Sequence, residues 1–188
     1  MLTEEQKVTL LRIARGAVVA QVRGEGADVA DAAPVFPDAA GAFVTIKRHG
    51  ELRGCLGTLT CQLGLEAEIA RCAADAASQD PRFPRVTADE LPHLNLEVSV
   101  LGPLEPIEPL DARAITIGRH GLVAEQGRRR GLLLPQVAVE WGWTVDQFLR
   151  QTCVKAGLPP DAWRHGARIY RFEAEVFGEL PPLPRCPG

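Results

Sequence analysis

The stretch that most constrains the fold is residues 41–60, GAFVTIKRHGELRGCLGTLT. Its first half is rich in β-branched and aromatic residues, which favour an extended chain. His49-Gly50 is a two-residue turn signal, because Gly50 can take a positive φ. The pattern therefore predicts a β-hairpin whose second strand begins at Glu51.

The second strand contains two glycines, Gly54 and Gly57, on either side of Cys55. A strand holds glycines this close together where it ends, bulges or lets another group approach its backbone. Bare glycine backbone could also offer N–H groups to an anion. Arg53 precedes Cys55 by two residues, and side chains two apart share one face of a strand. If the strand persists, a guanidinium lies beside the thiol and favours the reactive thiolate.

The same residues also support a simpler interpretation. A free cysteine is often only a small core residue. Cys55 would then fill space in a glycine-rich bulge, and Arg53 would form an ion pair at the surface. The local chemistry leaves both interpretations open.

Composition limits the classes of protein to which the chain can belong. Its 188 residues allow one domain or two small lobes, and its 46% hydrophobic content is typical of a soluble globular protein. A net charge of −3 argues against nucleic-acid binding, for which a basic surface is usual. No apolar run approaches the roughly 20 residues that span a bilayer, and the N-terminus has no signal-peptide core. We therefore expect a cytoplasmic protein that does not contact membranes.

The cysteines and histidines do not form a recognisable ligand pattern. Zinc ribbons, iron–sulfur motifs and thioredoxin motifs need closely spaced cysteines, which this chain lacks. Three of the four histidines directly precede glycine, which is typical of turns. We therefore predict no cofactor and no metal site, and we expect no disulfide in a cytosolic chain. The residues concerned are Cys55, Cys61, Cys72, Cys153, Cys186, His49, His93, His120 and His165.

The remaining elements predict an α+β fold with antiparallel sheets covered by helices. A capping box of Thr3 with Gln6 opens the first helix, and Gly24 ends it. The proline-rich segment 102–110 is the candidate connector between two lobes. The predicted elements are a helix over 3–22, a loop over 24–40, a helix over 63–78, a helical turn over 87–91, strands over 94–101, 114–118, 122–126 and 131–134, a helix starting at Pro135, a helix over 144–156, a strand over 167–177 and a flexible tail over 180–188.

Three further places carry polar side chains that could serve a site. Pro81 and Pro84 forbid a helix and predict a fixed turn that presents Asp80 and Arg82. Phe83 in that turn could simply plug the core. Glu97 lies on the polar face of strand 94–101, where it could be an ordinary solvated residue or line a groove. Gln136 follows Pro135 near a helix N-terminus, where anions bind well.

Four blocks of the sequence resemble the AMMECR domain family, whose bacterial and archaeal members are called AmmeMemoRadiSam system protein A. The resemblance runs from about Thr3 to Glu179, and the blocks are LRGCLGTL, DPRFPRVTADELPHLNLEVSVLGPLEPI, GLLLPQVAVEWGWTVDQFL and QTCVKAGLP. The residues that match family motifs by position are Arg53, Gly54, Cys55, Asp80, Arg82, Phe83, Glu97, Pro135 and Gln136.

The resemblance implies two lobes, with the LRGC motif facing a groove between them. It also implies two partners: a radical SAM enzyme and a Memo-type protein, which is similar in fold to extradiol dioxygenases. It does not imply a defined reaction, so whether the chain is an enzyme stays open. Because the motif characterises the family, the resemblance favours a functional role for Cys55.

Three hypotheses follow. In the favoured one, the chain is an accessory component that binds a ligand or substrate in the groove. In the second, it is an enzyme with Cys55 as nucleophile or carrier thiol, Arg53 as its support, Glu97 as general base and Gln136 as an orienting donor. In the third, it is an adaptor that docks through the hairpin. The candidate ligand-binding residues are Arg53, Gly54, Asp80, Arg82 and Gln136.

Overall fold

The computed structural model describes residues 2–25, 39–62, 64–108 and 111–179. The chain divides into two compact units. The N-terminal unit contains the described residues before Leu101 together with those from Glu175 onward, and the central unit is Leu101–Ala174. The predicted tail 180–188 and most of the predicted loop 24–40 lie outside the described residues.

Four helices and seven strands make up the described secondary structure. The N-terminal unit begins with α1 (Glu4–Arg23), β1 (Gly41–Arg48), β2 (Glu51–Thr58), α2 (Leu65–Ser78) and β3 (Leu94–Leu101). Then follow β4 (Glu105–Pro106), β5 (His120–Gln126), β6 (Arg129–Leu133), α3 (Pro135–Glu140), α4 (Val145–Lys155) and β7 (Arg168–Gly178). Short 3-10 helices occur at Leu91–His93, Ala112–Ala114 and Ala162–Arg164.

In the N-terminal unit, β1 lies between β2 and β3, so that β2 is an edge strand. Helix α2 packs on both β1 and β2, and α1 packs on α2. One apolar core holds these layers together. Its fully buried members include Leu10, Val18, Val44, Ile46, Ile69, Ala73 and Val98.

Two local predictions in this unit are confirmed. Thr3 and Gln6 bond reciprocally at the start of α1, and Gly24 ends the helix in the left-handed conformation. Such a cap contributes about 1 kcal/mol. His49 and Gly50 have φ values of 53° and 85°, the two positive angles of a type I′ hairpin turn.

The central unit is an antiparallel sheet in which β5 lies between β6 and β7, with β4 also paired to β7. Helix α4 packs across β5 and β6. The contact is close, because a Cβ on Gly131 of β6 would lie 2.5 Å from the backbone of Ala156. The fully buried residues of this core include Leu122, Ala124, Phe148, Leu149 and Cys153.

The predicted three-stranded meander is wrong in its first strand. Residues 114–118 do not form a strand; Ala114 ends a 3-10 helix, and a turn begins at residue 117. The carbonyl of Thr116 accepts the N–H groups of Arg119 and His120, and Gly118 has a φ of 83°. This local bonding prevents extended pairing, and β5 instead pairs with β7.

The α+β class with antiparallel sheets is confirmed. Within the described ranges, no helix is both long and apolar enough to cross a membrane. The groove expected between two lobes stays a prediction.

Candidate functional site

A β-bulge interrupts β2 inside the LRGC motif. Ile46 of β1 pairs with Gly54, but the next residue, Lys47, pairs with Leu52. Arg53 is therefore an extra residue without a partner in β1, which defines a bulge. A bulge breaks the two-residue alternation, so the premise that placed Arg53 and Cys55 side by side does not hold.

Arg53 is committed to contacts within the fold. Its side chain is only 12% exposed and bonds Glu90 twice, with Nε–Oε1 and Nη2–Oε2 distances of 2.8 Å. It also donates to the carbonyls of Pro84, at 2.8 Å, and Arg85, at 3.2 Å. Arg53 thus links the segment that follows α2 to β2. None of these hydrogen bonds goes to the thiol of Cys55, so the predicted role of Arg53 as support for the thiol stays a prediction.

Glu90 is the residue at the centre of this arrangement, and the sequence analysis missed it. Its carboxylate also accepts from Arg48, at 3.0 Å, and from the backbone and hydroxyl of Thr87. Hydrogen bonds from Arg53, and then from the Thr87 backbone, lower the pKa of Glu90 to about 2, although burial opposes them. The signal was present as a Thr-x-x-Glu pattern, but it predicted a helical turn over 87–91, whereas the 3-10 helix begins at Leu91.

The two glycines of the motif are explained by packing. A Cβ on Gly54 would lie 2.3 Å from the carbonyl oxygen of Ala76, because α2 crosses β2 at this point. A Cβ on Gly57 would lie 2.3 Å from the ring of Phe43. Gly54 therefore has a structural role, and its ligand-binding role stays a prediction.

Asp80 and Arg82 form a clamp on the edge of β2 at Cys55. The Asp80 carboxylate accepts the N–H of Cys55 at 2.9 Å, and Arg82 Nη2 donates to the Cys55 carbonyl at 3.3 Å. The same carboxylate binds Arg82 Nε and Nη2 at 2.9 and 2.7 Å. The Asp80 side chain is only 2% exposed. The bonds from Arg82, followed by the N–H of Cys55, hold the pKa of Asp80 well below its usual range.

The thiol of Cys55 is half-buried on the opposite face of the hairpin from α2. Cys55 pairs with Thr45 across the hairpin, and the Thr45 hydroxyl donates to Sγ at 3.3 Å. The guanidinium bound to this residue belongs to Arg82, and its contact is with the carbonyl of Cys55. The structure therefore brings Cys55, Asp80 and Arg82 together from the set predicted by sequence.

Arg82 and Phe83 complete the exposed surface beside Cys55. The Arg82 side chain is 56% exposed, and its guanidinium carbon lies 5.5 Å from the centre of the Phe83 ring. Phe83 is half-buried and does not belong to the core cluster of the unit. The interpretation of Phe83 as a core plug is therefore wrong. We call Thr45, Cys55, Arg82 and Phe83 the Cys55 surface.

No hydrogen bond joins Glu97 to Cys55 in the described part of the chain. Glu97 accepts from Lys47 Nζ at 2.9 Å. Gln136 follows Pro135 in the first turn of α3, as predicted, but belongs to the central unit. Their roles as general base and ligand-binding residue stay predictions. Among the described residues, no three His, Cys, Asp or Glu side chains are grouped so that they could hold a metal ion.

Comparison with known proteins places these residues in a family. The AMMECR1 family model matches residues 11–177. A protein of Methanothermobacter thermautotrophicus is 45% identical over 185 residues, covering 95% of this chain and 96% of its own length. One of Methanocaldococcus jannaschii is 42% identical, covering 97% of this chain and 94% of its own. The crystal structure of an uncharacterised protein from Pyrococcus horikoshii is 40% identical, with a TM-score of 0.85 over 96% of this chain and 95% of its own.

Proposed function

This chain belongs to the AMMECR1 family, and from that premise we propose that it is an accessory binding component of a modification system. The other components would be a radical SAM enzyme and a Memo-type protein, as the family resemblance implies. The Cys55 surface would hold the ligand or substrate. The observation that carries this proposal is a half-exposed thiol whose backbone is bonded on both sides, by Asp80 and Arg82, and whose own partner is a hydroxyl.

A binding role is favoured over covalent catalysis because no base contacts the thiol in the described part of the chain. Most thiol nucleophiles are activated by an adjacent base. The Thr45 hydroxyl cannot take that role near neutral pH, and the Glu97 carboxylate is paired with Lys47. A cysteine-dependent enzyme is the second candidate, because the Arg82 guanidinium is bonded to the backbone of Cys55 and the thiol is only half-buried.

The adaptor hypothesis ranks third. A peptide that adds a strand to a sheet needs free backbone groups at the edge. At Cys55 both backbone groups of β2 are already bonded, to Asp80 and Arg82. A docking strand would have to displace these charge-assisted bonds.

The experiment is to mix the purified chain with the radical SAM and Memo-type proteins of its source organism and to measure association by size-exclusion chromatography and calorimetry. We expect a complex that Cys55→Ser preserves, with the modification activity of the system retained. Cys61→Ser, which changes another half-buried thiol, is the matched control. Loss of activity with Cys55→Ser alone would favour the cysteine-dependent enzyme. Absence of any complex at micromolar concentrations would contradict the accessory role.

A further inference from the structure

The guanidinium of Arg82 is held in place by hydrogen bonds from two of its three nitrogen atoms. Nε and Nη2 make three hydrogen bonds, two to Asp80 and one to the carbonyl of Cys55. The guanidinium has five N–H groups, and the two on Nη1 meet no acceptor within residues 2–25, 39–62, 64–108 and 111–179. Nη1 thus belongs to a side chain that is 56% exposed.

This arrangement suits the recognition of an oxyanion. Arginine binds carboxylate and phosphate groups through its planar fork of donors. Most of the cost of ordering such a flexible side chain has already been met, because Asp80 and Cys55 fix the Arg82 guanidinium before any ligand arrives. Arg53 cannot serve in the same way, since its guanidinium is buried against Glu90 and two carbonyl groups.

We propose that the ligand of the Cys55 surface carries an oxyanion, a carboxylate or a phosphate, bound by Nη1 of Arg82 beside the thiol. This inference rests on the proposed function for the existence of a ligand at that surface, and it adds the ligand's chemical class. The bound group would lie next to Sγ of Cys55, with the ring of Phe83 beneath the guanidinium.

The test uses two alkylating reagents of nearly equal size and different charge. The rates at Cys55 with iodoacetate and with iodoacetamide are measured by peptide mass spectrometry, and their ratio is compared with the ratio for N-acetylcysteine. Because Arg82 attracts the anionic reagent, we expect the ratio at Cys55 to be about tenfold higher than for the free thiol at low salt. It should fall towards the free-thiol value in about 1 M salt, where charges are screened within about 3 Å.

Variants then assign the effect to one side chain. Arg82→Gln should abolish the elevated ratio, whereas Arg12→Gln removes the same charge from the exposed face of α1 and should preserve it. Because Arg82→Gln also leaves Asp80 without its main partner, the wild-type ratio and its salt dependence decide the matter if that variant fails to fold. Protection of Cys55 from iodoacetamide by inorganic phosphate or by acetate supports the site and identifies the preferred oxyanion.

A ratio at Cys55 no higher than that of N-acetylcysteine would overturn the inference. That result is separate from failure of the proposed function, which is tested by complex formation with the partner proteins. If a complex forms but the ratio is not elevated, only the claim that the ligand is an oxyanion is contradicted. If the ratio is elevated but no complex forms, only the proposed accessory role is contradicted.

Discussion

Gly54 lies where the backbone of α2 passes close to β2. The 2.3 Å separation between a Cβ at this position and the Ala76 carbonyl cannot be relieved by rotating a side chain, because both groups are backbone or attached directly to it. Arg53, the preceding residue, is equally committed, through Glu90. At the residue scale, two of the three residues in the RGC motif thus hold the hairpin in place, and the third presents a thiol.

We predict that Gly54→Ala lowers the free energy of unfolding by about 1 to 3 kcal/mol, as overpacking does in cores. Gly16→Ala in α1 is the matched control, since its added Cβ would meet no atom within 4 Å apart from the neighbouring backbone of its own helix. That variant should raise stability by about 0.5 to 1 kcal/mol, because alanine is favoured over glycine inside a helix. Urea unfolding of both variants measures the difference, and equal effects would contradict the packing role of Gly54.

Glu90 links stability to acid pH. Its folded-state pKa of about 2 lies below the ordinary value of 4.5, so the unfolded chain binds more protons between these two values. The stabilisation from Glu90 is therefore complete above pH 4.5 and is lost as the pH falls towards 2.

Glu90→Gln should lower the free energy of unfolding at pH 7 by about 3 kcal/mol, because it leaves Arg53 buried without its counter-charge. It should also flatten the fall in stability between pH 4.5 and 2. Denaturant unfolding at several pH values checks both effects. Glu51→Gln, an exposed carboxylate on the same hairpin, should leave the acid slope nearly unchanged. An unaltered slope in Glu90→Gln would show that its carboxylate does not titrate as described.

At the scale of elements, the segment after α2 closes the edge of β2. An edge strand exposes unpaired backbone groups and invites pairing with other chains. Here the Asp80–Arg82 clamp occupies the N–H and C=O of Cys55, while Arg53 bonds the carbonyls of Pro84 and Arg85 in return. The sequence blocks LRGC and DPRF are thus two sides of one polar interface.

Asp80→Asn should open this interface. An amide offers one acceptor and one donor group where the carboxylate accepts four bonds, so an N–H donor would face other N–H groups. We expect hydrogen exchange at the Cys55 amide to accelerate at least tenfold, reflecting easier local opening. Asp75→Asn, which affects only a pair at the surface of α2, should leave that rate unchanged. Unchanged protection of Cys55 in Asp80→Asn would rule out the clamp.

At the scale of the whole molecule, the N-terminal unit is completed by residues that follow the central unit in sequence. Glu179 binds Arg15 of α1 and the backbone N–H of Leu96, and its own N–H donates to the carbonyl of Leu96. Glu175 accepts the backbone N–H of Leu2 at 2.8 Å. Residues 175–179 therefore complete the unit to which α1 and β3 belong.

A chain that ends at Ala174 should lose these contacts and destabilise the N-terminal unit, while the central unit keeps all of its own residues. Hydrogen exchange resolved by peptide should show faster exchange in α1 and β3 and retained protection in α4 and β5. A chain that ends at Glu179 is the control and should behave like the full chain. Equal protection of α1 in both truncated chains would contradict the structural role of residues 175–179.

The elements that the sequence determined by itself depend on contacts between near neighbours. Three such features are the Thr3–Gln6 cap, the left-handed Gly24 and the His49-Gly50 turn. Each involves residues at most four apart, so a short sequence pattern is enough to predict it. The α+β class followed from the order of the predicted helices and strands. The prediction of a three-stranded meander was wrong because the second neighbour of β5 is β7, which lies roughly 50 residues later in the sequence. No local sequence pattern predicts that pairing.

The candidate site was decided by tertiary structure. The sequence marked Arg53, Cys55, Asp80 and Arg82 as polar residues of interest, but it could not say which guanidinium meets Cys55. One extra residue in β2 redirected Arg53 to Glu90, 37 positions away, and placed Arg82 on the Cys55 carbonyl instead. The physical reason is that a bulge changes the direction of every side chain near it, and that a buried carboxylate binds whichever cations the folded chain brings within reach.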